Sequence, residues 1–165
     1  MRTRLVTGAG LHPRSDGTVT LRAPTIEDLA LLDEGRDAEF LRWLAAEADM
    51  APPLACLVVH DQVTGWIDFD VARPWLEKGE VNIGYFLLAP YRRKGYATRA
   101  LELLLGHLSD ETDYRVATLL IDTRNERSLA VARRAGFSRV DDIGDGSFYF
   151  KRMVQRSQAN GGDPE

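Results

Sequence analysis

Cysteine is nearly absent: Cys56 stands alone in 165 residues. One thiol excludes an internal disulfide framework and any zinc site built on several cysteines. In a strand-like run, Cys56 itself reads as a small buried apolar residue. Histidine is almost as scarce. His12, His60 and His107 are scattered, with no second His or Cys at metal-ligand spacing, so no metal is expected and each reads as structural or exposed. No apolar run approaches the ~18 residues of a membrane-spanning helix, and no membrane partner is expected. The opening six residues lack an apolar stretch ahead of a cleavage site, which makes a cytoplasmic location the expectation. A cationic surplus is missing too. Lys and Arg number 21 against 25 Asp and Glu, a net charge of −4, and phosphate-backbone binding needs the opposite balance. Nucleic acid is therefore not an expected partner. What remains, 44% hydrophobic and 28% charged residues, is the composition of a globular chain long enough to bury a core as one domain.

The charge is unevenly spread. Residues 24–49 hold eight acids (Glu27, Asp28, Asp33, Glu34, Asp37, Glu39, Glu47, Asp49) against Arg36 and Arg42, a net of −6. Residues 91–99 hold Arg92, Arg93, Lys94 and Arg99 and no acid, a net of +4. Each segment is open to a plain reading as a solvated helix face or loop.

Residues 1–17, with Gly8, Gly10, Pro13 and Gly17, read as an irregular arm. Alternation over 18–22 predicts a short strand. Thr25 before Ile26-Glu27-Asp28 is an N-cap followed by acids in the first helical turn. A second helix is expected around Phe40, Leu41, Trp43 and Leu44, ended by Pro52-Pro53. Runs 54–60 and 66–71 read as a hairpin across Asp61-Gln62. Run 81–88 is a strand stopped by Pro90. Leu101, Leu104, Leu105 and Leu108 make one helical stripe over about 97–108. Then come a strand at 116–121, a helix at 128–135 stopped by Gly136, and strands at 140–143 and 148–154. Residues 155–165 are polar and Gly-rich and are expected to be disordered. This order of elements predicts an α/β or α+β sheet with helices on both faces.

The segment Tyr91-Arg92-Arg93-Lys94-Gly95-Tyr96-Ala97 lies between the best strand and the best helix. A glycine turn at a helix start offers free N–H groups and the positive end of the helix dipole to an anion. It is neither a Walker sequence nor a three-glycine dinucleotide fingerprint. Arg92-x-x-Gly95-x-Ala97 after Leu87-Leu88-Ala89-Pro90 resembles the acetyl-CoA signature of the GNAT acetyltransferases. Asn125-Glu126-Arg127-Ser128, with Gly136-Phe137 eleven residues past Asn125, is similar to the helix that follows in that family. Leu21-Arg22-Ala23-Pro24-Thr25-Ile26-Glu27-Asp28 resembles the opening of the branch that acetylates ribosomal-protein N-termini. The likeness runs over 18–154, the stretch taken as the acetyltransferase domain.

The resemblance implies a mixed, mostly antiparallel twisted sheet whose central parallel pair splays to admit the pantetheine arm of acetyl-CoA. It implies pyrophosphate on the turn of Arg92, Arg93, Lys94, Gly95, Tyr96 and Ala97, with Thr98 as a hydroxyl contact. Phe86 and Leu88 would offer main-chain hydrogen bonds to pantetheine, Asn125 would meet the arm from the other side, and Ser128 would lie near the thiol. For Asn125 a plain helix cap is the competing reading. The implied reaction is direct acetyl transfer to a primary amine, with a dimer as the family-level expectation.

Two positions depart from the family. The Tyr commonly found seven residues after the Asn is Ala132 here, which leaves Ser128 as the nearest proton donor. The Glu commonly found on the strand before the signature is Asn82 here. Glu80 shares that strand face by parity and is the first candidate base, with Asp68 and Asp70 as alternatives. The competing class is a non-catalytic acyl-CoA-binding or protein-interaction module. An RNA contact at the basic turn is weaker still. The −6 segment, with Asp141, Asp142 and Asp145, points to a cationic acceptor: a protein N-terminus or a small amine. Trp43 and Trp66 read as core, and Trp75 as an aromatic in a polar loop.

Overall fold

The computed structural model describes residues 11–44, 52–142 and 145–156. The Thr25 hydroxyl accepts from the Asp28 N–H at 3.2 Å, and the Asp28 carboxylate accepts from the Thr25 N–H at 2.8 Å. That reciprocal capping box starts α1 (Ile26–Glu34) at the expected residue. Asp37 likewise accepts from the Phe40 N–H at 3.1 Å at the start of α2 (Ala38–Leu44). The long helix α3 (Tyr96–Glu111) and α4 (Glu126–Arg134) are the other α-helices among the described residues.

The strands are β1 (Arg14–Ser15), β2 (Thr20–Arg22), β3 (Ala55–Val59), β4 (Gln62–Asp70), β5 (Glu80–Leu87), β6 (Val116–Asp122), β7 (Ser138–Asp142) and β8 (Ser147–Met153). They form one sheet in the order β1-β2-β3-β4-β5-β6-β8-β7. Among the described residues, only β5 and β6 pair in parallel. The stretch expected to be an irregular arm holds β1 and a buried Leu11, because Arg14 and Ser15 pair with Leu21 and Thr20. At the other end Arg156 donates to the carbonyls of Ser109 and Thr112, at the negative end of α3. Residues 157–165, the rest of the expected disordered tail, lie outside the described residues.

Each face of the sheet has its own core. Leu101, Leu104, Leu105 and Leu108 of α3, with Leu129 and Ala132 of α4, pack on Ile67, Val81, Ile83, Ala117, Leu119 and Phe150. Leu32 of α1 and Phe40 of α2 pack on Cys56, Trp66, Phe86 and Leu88. Helices thus cover both faces, as the order of elements predicts. Trp66 and Cys56 are core residues, and burial pushes the Cys56 thiol up to about 11, so it carries no thiolate.

Candidate functional site

The parallel pairing of β5 and β6 covers only Glu80 with Val116, Val81 with Ala117, and Asn82 with Thr118. Both strands run on, to Leu87 and Asp122, without pairing to each other. A cleft therefore opens beyond Asn82, with β5 and the α3 start on one lip and β6 and the α4 start on the other.

The mouth of this cleft is built from the basic turn. Arg93 has φ of 61° and Gly95 has φ of 80°, so two of three consecutive residues are left-handed. Gly95 adopts this freely, whereas Arg93 costs about 1 kcal/mol. A Cβ at Gly95 would meet nothing within 4 Å, so the main chain there is open to close approach. Among the described residues no side chain caps α3, unlike α1 and α4. Its first N–H groups are left for an external acceptor. Arg93 and Lys94 are exposed beside them.

Arg92 behaves differently. Its guanidinium donates to both Asp37 oxygens at 2.7 and 3.0 Å and from Nε to the Leu87 carbonyl at 2.8 Å. It also pairs with Glu39 at 2.9 Å and lies over the Phe86 ring at 5.1 Å. Arg92 docks α2 onto the end of β5, and its side chain is spent there rather than on a phosphate. Asp37 is held down to about 2 by that guanidinium, against a smaller opposing push from burial.

Main-chain parity revises two further expectations. Trp66 pairs with Phe86, Gly65 with Leu87, and the Leu88 N–H donates to the Thr64 carbonyl at 2.9 Å. Antiparallel ladders alternate, so Phe86 and Leu88 turn their main-chain groups to β4. The odd residues face the cleft, which leaves Tyr85 and the Leu87 N–H on that lip. On the opposite lip, Asn125 Oδ1 accepts from the Ser128 N–H at 3.2 Å and caps α4. The plain reading of Asn125 is thus correct for its oxygen, and the amide nitrogen keeps its donors.

The face toward α1 and α2 carries a polar strip: Asp68 and Asp70 of β4, Glu80 and Asn82 of β5, Thr118 of β6, Tyr149 and Lys151 of β8. Thr118 Oγ1 donates to the Val81 carbonyl at 3.0 Å. Glu80 is buried, with Lys151 Nζ at 2.5 Å, the Tyr149 hydroxyl at 3.2 Å and the Glu77 N–H at 3.1 Å. Burial alone would raise its carboxyl; Lys151 and the other donors together hold it below the usual value. A carboxylate stabilised in this way is a poor acceptor for a substrate proton. Asp70 pairs with Arg73 at 2.7 Å. Asp68 is buried on the same face, directly across from Gly84, two residues beyond the point where the strands part.

Trp75 is half-buried under Arg73, its Nε1 shielded, rather than exposed in its loop. Ala132, at the vacant Tyr position, is wholly buried. Among the described residues no group of His, Cys, Asp and Glu could hold a metal, and no helix is long and apolar enough to cross a membrane. The Glu80–Lys151 pair, the Asp37–Arg92 pair and the Tyr85 hydroxyl had no local signal, since each depends on contacts distant in sequence.

Residues 18–138 match the acetyltransferase (GNAT) domain. A search of the curated proteins finds no match. Among solved structures, a GNAT-family acetyltransferase from Bacillus anthracis shares 15% identity over 87% of this chain and 99% of its own, with a TM-score of 0.69. RimL, a ribosomal L7/L12 alpha-N-protein acetyltransferase in complex with coenzyme A, shares 18% over 86% and 98%, with a TM-score of 0.71. The aminoglycoside acetyltransferase AAC(6')-Ib, in complex with coenzyme A, shares 21% over 82% and 95%, with a TM-score of 0.70. The structural likeness carries the fold and the domain match carries the kinship: this chain belongs to the GNAT acetyltransferase family.

Proposed function

We propose that this chain transfers an acetyl group from acetyl-CoA to a primary amine, on a protein N-terminus or a small cationic molecule. The observation that carries the reading is the parting of β5 and β6 after Asn82 and Thr118, with the uncapped Gly95 turn at its mouth. The N–H groups of Arg93, Lys94, Gly95, Tyr96 and Ala97, with the Thr98 hydroxyl, receive the pyrophosphate. Tyr85 and Leu87 offer main-chain groups to the pantetheine amides, Asn125 offers its amide nitrogen, and Ser128 lies beside the sulfur. Support comes from RimL and AAC(6')-Ib, which were solved with coenzyme A and are described as acting on a protein N-terminus and on aminoglycosides.

A broad acidic field is a weak argument for a cationic acceptor here. Asp28 pairs with Arg22, Asp33 with Arg36, Asp37 with Arg92, and Glu39 with Arg92 and Arg127. Glu47 and Asp49 lie outside the described residues, as do the side chains of Asp141 and Asp142. Asp145 is exposed and accepts from the Ser147 N–H at 3.0 Å. The argument rests instead on the place of Asp68, buried across from Gly84 two residues beyond the parting of β5 and β6, with its Oδ1 accepting from the Phe69 N–H at 2.9 Å. Asp68 takes the proton that an alkylammonium, of pKa about 10.4, must lose before it attacks. The C–N bond then forms at the thioester carbon, the C–S bond breaks, and the electron pair leaves on sulfur. Glu80 and Lys151 neutralise each other and hold the floor of the site.

The test is an acetyl-CoA assay against cationic, neutral and anionic amines and peptide N-termini, read by mass spectrometry, beside a thermal shift with excess acetyl-CoA. A cationic amine should be acetylated with equal release of free thiol, and Asp68→Asn should lower kcat about a hundredfold. At ~100 times the dissociation constant, acetyl-CoA should stabilise the fold by about 2.7 kcal/mol. Neither shift nor product overturns the reading. A shift with no product favours the acyl-CoA-binding module, the reading that the buried Ala132 supports.

A further inference from the structure

Four odd-numbered residues of β5 share the face toward α3 and α4: Val81, Ile83, Tyr85 and Leu87. Tyr85 alone carries a polar head. Its hydroxyl oxygen is shielded from solvent and closes no hydrogen bond of good geometry among the described residues. It comes up to the Ser128 hydroxyl, the third residue of α4, on the other lip of the cleft. Buried hydroxyls without a partner are uncommon, and one that spans an open cleft toward a second hydroxyl calls for a reason. Burial pushes the phenol up to about 12 against a smaller pull from Ser128, so it stays protonated and can only donate or be idle as an acid over the physiological range. The helix position two turns into α4 offers nothing in its place, because Ala132 has no hydroxyl and is wholly buried.

We propose that Tyr85 is a positioning residue for the leaving group: its O–H donates to Ser128 Oγ and turns the Ser128 O–H toward the departing sulfur. When the C–S bond breaks, the electron pair goes to sulfur, and the Ser128 O–H donates a hydrogen bond to the thiolate. A thiolate with a pKa of about 8.5 is too weak a base to take the proton from either hydroxyl, so both keep theirs and the sulfur is protonated after release. The amine's proton goes to Asp68. The inference rests on the acetyl-transfer reading and assigns the thiol-side work within it.

Removal of one oxygen tests it. Tyr85→Phe should lower kcat about tenfold, leave KM for acetyl-CoA within twofold, and leave the unfolding midpoint unchanged or higher, since the hydroxyl closes no hydrogen bond of good geometry in the resting fold. Ser128→Ala should lose at least as much. The double variant should be no slower than Ser128→Ala, because Tyr85 acts through Ser128. A merely structural tyrosine would lower the unfolding midpoint and would not show this non-additivity. Unchanged turnover in Tyr85→Phe overturns the proposal, as does a further tenfold loss in the double variant or a loss confined to KM. An inactive wild type with every amine overturns the acetyl-transfer reading with it; an active wild type and an indifferent Tyr85→Phe overturn this assignment alone.

Discussion

Single residues in this chain take their roles from partners that sequence spacing does not reveal. Parity puts Glu80 on the strand face of Asn82, yet Lys151, seventy-one residues away, holds it as a carboxylate. Arg92 occupies the signature position, yet its three guanidinium nitrogens serve Asp37, Glu39 and Leu87. By contrast, Thr25 and Asp28 were legible, because a capping box is closed within four residues. Asp28 also takes Arg22 at 2.5 Å, and its carboxyl falls to about 2, chiefly through that guanidinium and against the push of burial. The shift downward from 3.8 means that the charged carboxylate favours the fold. This contribution is complete above about pH 4 and is lost as the pH falls through about 2. Asp28→Asn should therefore cost on the order of 2 kcal/mol at pH 7. Urea midpoints of wild type and variant, taken from pH 7 down to pH 2, should converge between about pH 4 and pH 2. A constant gap would mean that the charge is immaterial and the loss is one of packing.

At the scale of elements, hydrophobic period and punctuation sufficed for most of the fold. The Leu101–Leu104–Leu105–Leu108 stripe and the stop at Gly136 gave α3 and α4 their places, because their signals lie within one or two turns. Strand pairing was harder. Parity says which residues share a face but not which neighbour their main chain meets, and so Phe86 and Leu88 were expected at the cleft where Tyr85 and Leu87 stand. Likewise β1 is too short for any periodic signal, and only its pairing with β2 makes it a strand. The β3–β4 hairpin shows the local cost of tight pairing. His60 has φ of 49° and Asp61 has φ of 60°, the left-handed pair of a two-residue turn that Asn-Gly fits best. Each residue bears strain on the order of 1 kcal/mol, partly offset at Asp, which tolerates this region. The pair His60→Asn with Asp61→Gly should raise stability by about 1 kcal/mol, measured as a higher urea midpoint at unchanged slope. A fall would mean that the side chains of the turn hold the hairpin by contacts stronger than the strain.

The whole molecule joins regions that looked like separate charged patches. Glu39 accepts from Arg92 at 2.9 Å and from Arg127 at 2.7 Å, and Arg127 lies in the first turn of α4. One carboxylate at the start of α2 therefore ties the end of β5 to the start of the helix after β6, the two lips of the cleft. The −6 and +4 segments, read as facing two different substrates, meet through Arg92, which pairs with Asp37 and Glu39, while Arg99 pairs with Asp16. Arg92 and Glu39 thus join the two lips, while Arg93 and Lys94 are exposed at the turn. This division of labour separates two sets of variants. Arg92→Ala leaves Asp37 and Glu39 half-exposed without their main partner, at a cost on the order of 2 kcal/mol after solvent screening. The melting temperature should fall by about 4–8 °C. Arg93→Ala with Lys94→Ala should leave the melting temperature within a degree or two and weaken acetyl-CoA binding several-fold, more at low salt than at high. Calorimetric titration of acetyl-CoA beside thermal melts distinguishes them. If Arg92→Ala weakens acetyl-CoA binding more than the double variant does while the fold keeps its stability, Arg92 is a phosphate ligand and the tie across the cleft is incidental. A large loss of stability with nearly normal binding establishes the tie as the device that holds the two lips at their working distance.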